Sequence, residues 1–202
     1  MTRSEPVWLA TGNQGKVDDF AAMAPGLRLD LMPGFPALPS VEETGDTFEA
    51  NARLKAEHYS RLGEGLIVAD DSGLVVDALA GAPGVYSARY AGLHGDDDAN
   101  NRLVLQRLQG IPIERRTARF VCVLALARRG KFAAVFHGVA EGLILPEERG
   151  TLGFGYDPLF YSPAAGCGFG ELTRERKAAF SHRGQAARAL LEWMRSAGAG
   201  AR

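Results

Sequence analysis

A chain of 202 residues suits one large domain or two closely packed lobes, and folding at this length buries roughly 70% of the unfolded surface. Its 23 basic and 24 acidic residues leave a formal net charge of -1, which excludes a global field for nucleic acid or an anionic membrane, so an anionic ligand has to be held locally. The longest apolar run, Phe120 to Ala127, falls far short of the roughly 20 residues a bilayer span needs, and no apolar signal core opens the chain, so the expectation is a cytoplasmic protein with no membrane partner.

The predicted elements alternate. A strand over Val7 to Ala10 leads to a helix near Lys16 to Ala24, a strand over Leu27 to Met32 and a Pro-rich connector from Pro33 to Ser40. A second helix is expected over Thr47 to Leu62, because Asp46 and Glu49 have capping-box spacing and Phe48, Ala52, Ala56 and Tyr59 recur at helical intervals. The strand Leu66 to Ala69 then runs into a predicted turn, Asp70-Asp71-Ser72-Gly73, followed by a short apolar run, Leu74 to Val76. A Gly-rich loop over 81 to 90 precedes a helix over Asp96 to Leu108, whose acidic start suits the macrodipole.

Phe120 to Ala127 and Phe132 to Ala140 flank Arg128-Arg129-Gly130-Lys131 as a β-hairpin expected in mid-sheet. Cys122 and Cys167 lack CxxC spacing and read as free thiols in a reducing compartment. The last helix, Gln185 to Met194, turns Ala187, Leu190, Leu191 and Met194 inward, and residues 1–6 and 196–202 are expected to fray. No repeat or clean boundary appears, so residues 1–202 form a single α/β domain of interleaved lobes.

Two adjacent carboxylates at the end of a buried strand, Asp70 and Asp71, are costly unless a cation or hydrogen-bond donors compensate. Magnesium would compensate them, since it favours carboxylate and phosphate oxygens; ordinary turn chemistry is the alternative. Thr11-Gly12-Asn13-Gln14-Gly15-Lys16 follows a strand and opens a helix, where backbone N–H groups, a hydroxyl and an ammonium can converge on phosphate; a solvated turn also fits, and no Walker A spacing is present. Glu42-Glu43 precede a helix on which Asn51 and Lys55 share one face, either across a cleft or as a surface acid pair with a snorkelling lysine. Gly153-Phe154-Gly155-Tyr156-Asp157 can lay a ring against a flat base or make a tight turn with core aromatics. Lys177 and Ser181-His182-Arg183-Gly184 offer donors or a helix cap. HExxH and G-x-S-x-G are absent, which argues against a zinc protease or an α/β-hydrolase.

Taken in order, TGNQGK at 11–16, EETGDTFEANARLKA at 42–56, ADDSGL at 69–74, GAPGVYSARYAG at 81–92, GFGYDPLF at 153–160 and ELTRERK with SHRGQA at 171–186 resemble the inosine triphosphate pyrophosphatase family. That resemblance implies an elongated mixed sheet flanked by helices, two lobes around a central active-site cleft, a homodimer, and Mg2+-dependent cleavage of deaminated purine nucleoside triphosphates (ITP, dITP, XTP) to the monophosphate and pyrophosphate. It also implies that Thr11, Gly12, Asn13, Gln14, Gly15, Lys16 and Ser72 hold phosphate, and that Glu43 and Asp71 bind magnesium. Asp71 would further act as proton acceptor, with Asp70 either a second metal ligand through water or an orienting group. Phe154, Gly155, Tyr156, Asp157, Lys177, His182 and Arg183 would line the nucleoside pocket.

Lys16, Lys55 and Lys177 suit a reaction dominated by electrostatic stabilisation of a polyphosphate. A donor at purine position 6 satisfies the keto oxygen of hypoxanthine or xanthine and opposes the amino group of adenine. The stretch Gly166-Cys167-Gly168-Phe169-Gly170 departs from the lysine and small residues expected there. A pyrophosphatase for modified pyrimidine nucleotides and a non-catalytic nucleotide-binding module are the competing readings.

Overall fold

A computed structural model describes residues 7–23 and 29–199, with the backbone alone at 14, 21 and 197–199. The elements are β1 (Val7–Ala10), α1 (Gln14–Met23), β2 (Leu29–Leu31), α2 (Phe48–Tyr59), β3 (Leu66–Val76), α3 (Asp97–Arg107), β4 (Thr117–Arg128), β5 (Lys131–Ile144), β6 (Phe160–Ser162), β7 (Cys167–Gly168), α4 (Arg174–Phe180) and α5 (His182–Ala199). The strands form one mixed sheet flanked by helices, in the order β2-β1-β3-β4-β5-β6-β7. β1 runs parallel to both neighbours, Val7 opposite Leu29 and Leu66, and the intervening chain carries α1 and α2, as parallel pairing requires. β6 is antiparallel to β5 and β7. The α/β class expected from the alternating pattern is what forms, with β4 in the middle of the sheet.

The chain divides into two compact units that interleave in sequence. The first holds the chain up to Asp71, Cys122–Gly138 and the chain from Arg183 onward; the second holds Ser72–Val121 and Val139–His182. In the first, Leu9, Phe20, Ala52, Ile67, Leu124 and Leu190 are all buried. The second has a core in which Phe120, Phe160 and Phe169 pack ring against ring, joined by Leu74, Val104 and Ile144.

The largest departure from the predicted elements lies at residues 70–73. No turn forms: β3 runs unbroken for 11 residues through Asp70-Asp71-Ser72-Gly73. Gly73 does not take a positive φ. A Cβ there would clash with Ser87 Oγ and Gly84 O, so this glycine lets the 84–87 segment close onto the strand. Ser87 Oγ accepts from Leu74 N at 2.9 Å and donates to Gly84 O at 2.6 Å, which secures that approach. At the β4–β5 connection the predicted hairpin holds, since Arg129 and Gly130 both take positive φ, 50° and 76°, as a two-residue turn demands.

Helix boundaries shift for local reasons. α2 is capped by Thr47, whose side chain accepts from Ala50 N at 3.1 Å, and not by Asp46; it ends at Tyr59, three residues before Leu62. The predicted final helix lies within α5, which starts earlier, at His182, and continues through Ala199 where fraying was expected; α4, before Ser181, was not predicted. Ala187 and Leu190 are buried as expected, whereas Leu191 and Met194 are only half-buried. The departing stretch at 166–170 makes β7 and a short helical turn over Phe169–Glu171, held by Gly168 N donating to Glu171 Oε2 at 2.7 Å. Predictions for residues 1–6, 24–28 and 200–202 lie outside the described residues.

Gly73→Ala is expected to destabilise the fold by about 1–3 kcal/mol through overpacking, read as a lower urea midpoint with an unchanged slope. An unchanged midpoint would mean the 84–87 segment does not need the bare backbone.

Candidate active site

Two groups of the candidate residues assemble, one in each unit. In the first unit they gather on β3, where pleating sends successive side chains to opposite faces, so Asp70 and Asp71 diverge. Asp70, 3% exposed, pairs through Oδ1 with Lys16 Nζ from α1, and its Oδ2 accepts from the buried Cys122 thiol at 3.5 Å. Burial alone would raise the Asp70 carboxyl, but the Lys16, Arg183 and Lys55 cations, with the Lys16 hydrogen bond, hold it down at about 2. Burial first, then the Asp70 carboxylate, pushes the Cys122 thiol up, so it stays a protonated donor.

Asp71 is 7% exposed and meets a different cation. Lys55 Nζ donates to Asp71 Oδ1 at 2.7 Å and to Glu43 Oε1 at 3.0 Å, bridging the two carboxylates. The Glu43 segment is held by the same helix: Asn51 Oδ1, one turn before Lys55, accepts from Gly45 N at 2.8 Å. Burial raises the Asp71 carboxyl; Lys55 opposes it by charge and hydrogen bond, while Glu43 and Asp70 add to the rise, and the net shift is upward. Burial lowers Lys55, yet Asp71, Glu43 and Asp70 together outweigh it and raise the ammonium. Asp71 Oδ2 is buried with no hydrogen-bond partner among the described residues.

The loop over 11–15 leads into the N-terminus of α1, where backbone N–H groups and the macrodipole favour an anion. Its side chains also serve the turn: Thr11 Oγ1 accepts from Asn13 N and Asn13 Oδ1 from Lys16 N, both at 3.1 Å, so Asn13 caps α1. The Gln14 side chain lies outside the described residues. Arg183 Nη1 pairs with Asp19 Oδ2 at 3.3 Å, both groups buried.

In the second unit, Asp157 organises its loop. Its Oδ2 accepts from Phe154 N at 3.0 Å and from the buried Lys177 Nζ at 2.5 Å. Lys177 Nζ also lies 5.4 Å from the Phe154 ring centre, within cation–π range. Tyr156 Oη donates to Ser87 O at 2.8 Å, and burial pushes its hydroxyl well above the ordinary tyrosine value. His182, 1% exposed, stacks on Phe120 with ring centres 4.8 Å apart. Ser72 is half-buried on β3, immediately after Asp71.

The Ham1 family model matches residues 7–193. The chain belongs to the Ham1 family. A dITP/XTP pyrophosphatase of Bacillus cereus is 48% identical over 196 residues, 95% of this chain and 96% of that one. A dITP/XTP pyrophosphatase of Exiguobacterium sibiricum is 50% identical over 184 residues, covering 90% and 93%. The solved HAM1 protein of Coxiella burnetii is 38% identical, with a TM-score of 0.85, 96% of this chain covered and 100% of that one.

Within this Ham1-family chain no three His, Cys, Asp or Glu side chains converge on a metal-sized site among the described residues. Magnesium needs only one or two carboxylates, since it fills its shell with phosphate and water. The orphaned Asp71 Oδ2 and the partly exposed Glu43 carboxylate fit such a donor set. Sequence reasoning missed Cys122 and Asp19 as partners of the charged groups. Asp19 lies three residues after Lys16, a helical spacing that could have signalled a shared face; Cys122 had no such signal.

Asp70 also gives a pH dependence. Its folded pKa lies below the unfolded value near 4, so its stabilisation is present above about pH 4 and lost as pH falls through about 2. Metal-free protein is expected to lose on the order of 2 kcal/mol through this group across that window, and Asp70→Asn to flatten that part of the curve. Urea titrations from pH 5 to 2 measure it; the same acid slope in both proteins would remove Asp70 as the cause.

Proposed function

We propose that the protein hydrolyses deaminated purine nucleoside triphosphates, dITP, XTP and ITP, to the monophosphate and pyrophosphate, in a magnesium-dependent reaction with Asp71 as the base. The observation that carries this reading is the state of Asp71: a buried carboxylate with one oxygen fixed by Lys55 and the other unpartnered, its pKa raised toward the range where a base is effective. The names of the relatives, dITP/XTP pyrophosphatases matched along nearly their whole length, support the reaction and the substrate class.

When bound, magnesium would supply positive charge against the phosphate oxygens and acidify water. Asp71 and Glu43 are the residues to hold it, with Asp70 supporting Lys16. Lys55 donates to Asp71 Oδ1 and so leaves Oδ2 to take a proton from the attacking water. The water oxygen then bonds to phosphorus as the α–β anhydride breaks, and pyrophosphate leaves with the bonding pair. The α1 N-terminus, Lys16 and Ser72 offer donors and charge to the phosphates, which is most of what phosphoryl transfer needs. Base recognition falls to Phe154–Asp157 with Lys177 and His182, where a donor at purine position 6 favours a keto oxygen over an amino group.

The resemblance further suggests a homodimer acting on the cytoplasmic nucleotide pool. Among the described residues no helix is long and apolar enough to cross a membrane. Light scattering tests the dimer as a particle of twice the chain mass.

Purified protein with magnesium is expected to release pyrophosphate from ITP, dITP and XTP and to act far more weakly on ATP, and EDTA is expected to abolish turnover. Orthophosphate as product, or a preference for ATP or for modified pyrimidines, would overturn the reading. Asp71→Asn should keep the fold and lose orders of magnitude in kcat.

The pH profile has a definite sign. Activity needs ionised Asp71, so it falls as pH drops through a value raised above the ordinary one for an aspartate. Lys55→Met removes the cation that holds Asp71 down and should move this acid limb to higher pH while lowering kcat; a limb shifted to lower pH would contradict the assignment.

A further inference from the structure

α3 reaches the 153–157 loop through two side chains one turn apart. Gly155 N donates to Asp97 Oδ2 at 2.7 Å, and Asn101 Nδ2 donates to Gly155 O at 3.1 Å. Both backbone polar groups of the residue that separates Phe154 from Tyr156 are therefore held by one helix. Gly155 sits at φ 64°, in the left-handed region, and this conformation sets the directions in which the two flanking aromatic residues leave the loop. Asp97 begins α3 but is not its cap, because Asp96 accepts from Ala99 N at 2.9 Å and takes that role. Its carboxylate is thus available for the charge-assisted bond to Gly155.

We propose that Asp97 and Asn101 are positioning residues that set base affinity and selectivity by clamping Gly155, and so pre-organise the half-buried Phe154 to receive a flat keto-purine while the buried Tyr156 anchors the loop in the core. The inference rests on the reading of 154–157 as the base loop. A receptor loop that is already ordered loses less freedom on binding, so the clamp acts on KM and on discrimination between bases, and leaves the step at Asp71 unchanged. Tyr156 Oη on Ser87 O and Phe154 N on Asp157 complete the same pre-organisation from within the unit. The acidic run Asp96-Asp97-Asp98 accordingly divides its work: Asp96 caps, Asp97 clamps, and the exposed Asp98 faces solvent at the helix start.

Steady-state kinetics on ITP and ATP test this with wild type, Asp97→Ala, Asp97→Asn, Asn101→Ala and Asp98→Ala. Asp97→Ala and Asn101→Ala are expected to raise KM for ITP about tenfold with kcat within about twofold, and to reduce the ITP-to-ATP ratio of kcat/KM. Asp97→Asn, which keeps an acceptor for Gly155 N, should recover most of the loss. Asp98→Ala, which removes the same helix-end charge without touching Gly155, should match wild type. A selective wild type whose Asp97 and Asn101 variants keep its KM and its ratio overturns this inference alone. So does a fall in kcat common to both nucleotides with KM and ratio unchanged, since that is loss of folded enzyme. A wild type with no preference for ITP overturns the base-loop reading and this inference together.

Discussion

Adjacent carboxylates on one buried strand cannot both pair directly with one ammonium, because the pleat of β3 turns Asp70 and Asp71 to opposite faces. Each needs its own ammonium, and two helices supply them: Lys16 from α1 for Asp70, Lys55 from α2 for Asp71. Either acid without its lysine would be an uncompensated charge in the interior, at a cost of about 3–5 kcal/mol. The placement of α1 after β1 and of α2 before β3 thus answers an electrostatic demand as well as a packing one.

The two pairs then diverge chemically. Asp70 has three cations acting on it and a thiol donor, and it stays ionised down to about pH 2. Asp71 shares one lysine with Glu43 and keeps an oxygen with no partner, so burial prevails and its pKa rises. A group held ionised so firmly is a poor proton acceptor, whereas one raised toward neutrality is a better one. The proposed division of labour follows: Asp70 fixes Lys16 and Asp71 takes the proton. Asp71 contributes less to stability than an exposed carboxylate would, a strain typical of catalytic positions.

The second unit applies the same economy to the loop proposed to receive the base. Asp157 holds the start of its own loop and Lys177, Ser87 holds Tyr156, and α3 holds Gly155 from both sides. Few of these contacts are between neighbours in sequence, so the loop depends on the packed unit for its shape. Ser87 has a double part, since the same residue that receives Tyr156 closes onto β3 beside Gly73.

Composition, periodicity and motif order were enough to recover the α/β alternation, β1 to the residue, the hairpin turn, and the residues around which both candidate groups form, because those features depend on local spacing. The Asp-Ser-Gly turn was misread for a reason equally physical: turn propensity is a local preference, and the place of 70–73 inside a continuous sheet strand, with the close approach of Ser87, overrode it. The cap of α2 moved from Asp46 to Thr47, one residue being the usual uncertainty of a helix end. The partners Cys122, Asp19, Asp97 and Asn101 lie between 52 and 164 residues from the groups they touch, and no spacing rule reaches that far. Sequence alone singled out the side chains that gather in the two candidate groups, among them Glu43, Lys55, Asp70 and Asp71 in one and Phe154, Asp157 and Lys177 in the other. Only the tertiary structure decided which lysine each aspartate receives, and with it which carboxylate stays ionised and which can accept a proton, because burial and charge at one atom are sums over everything packed around it.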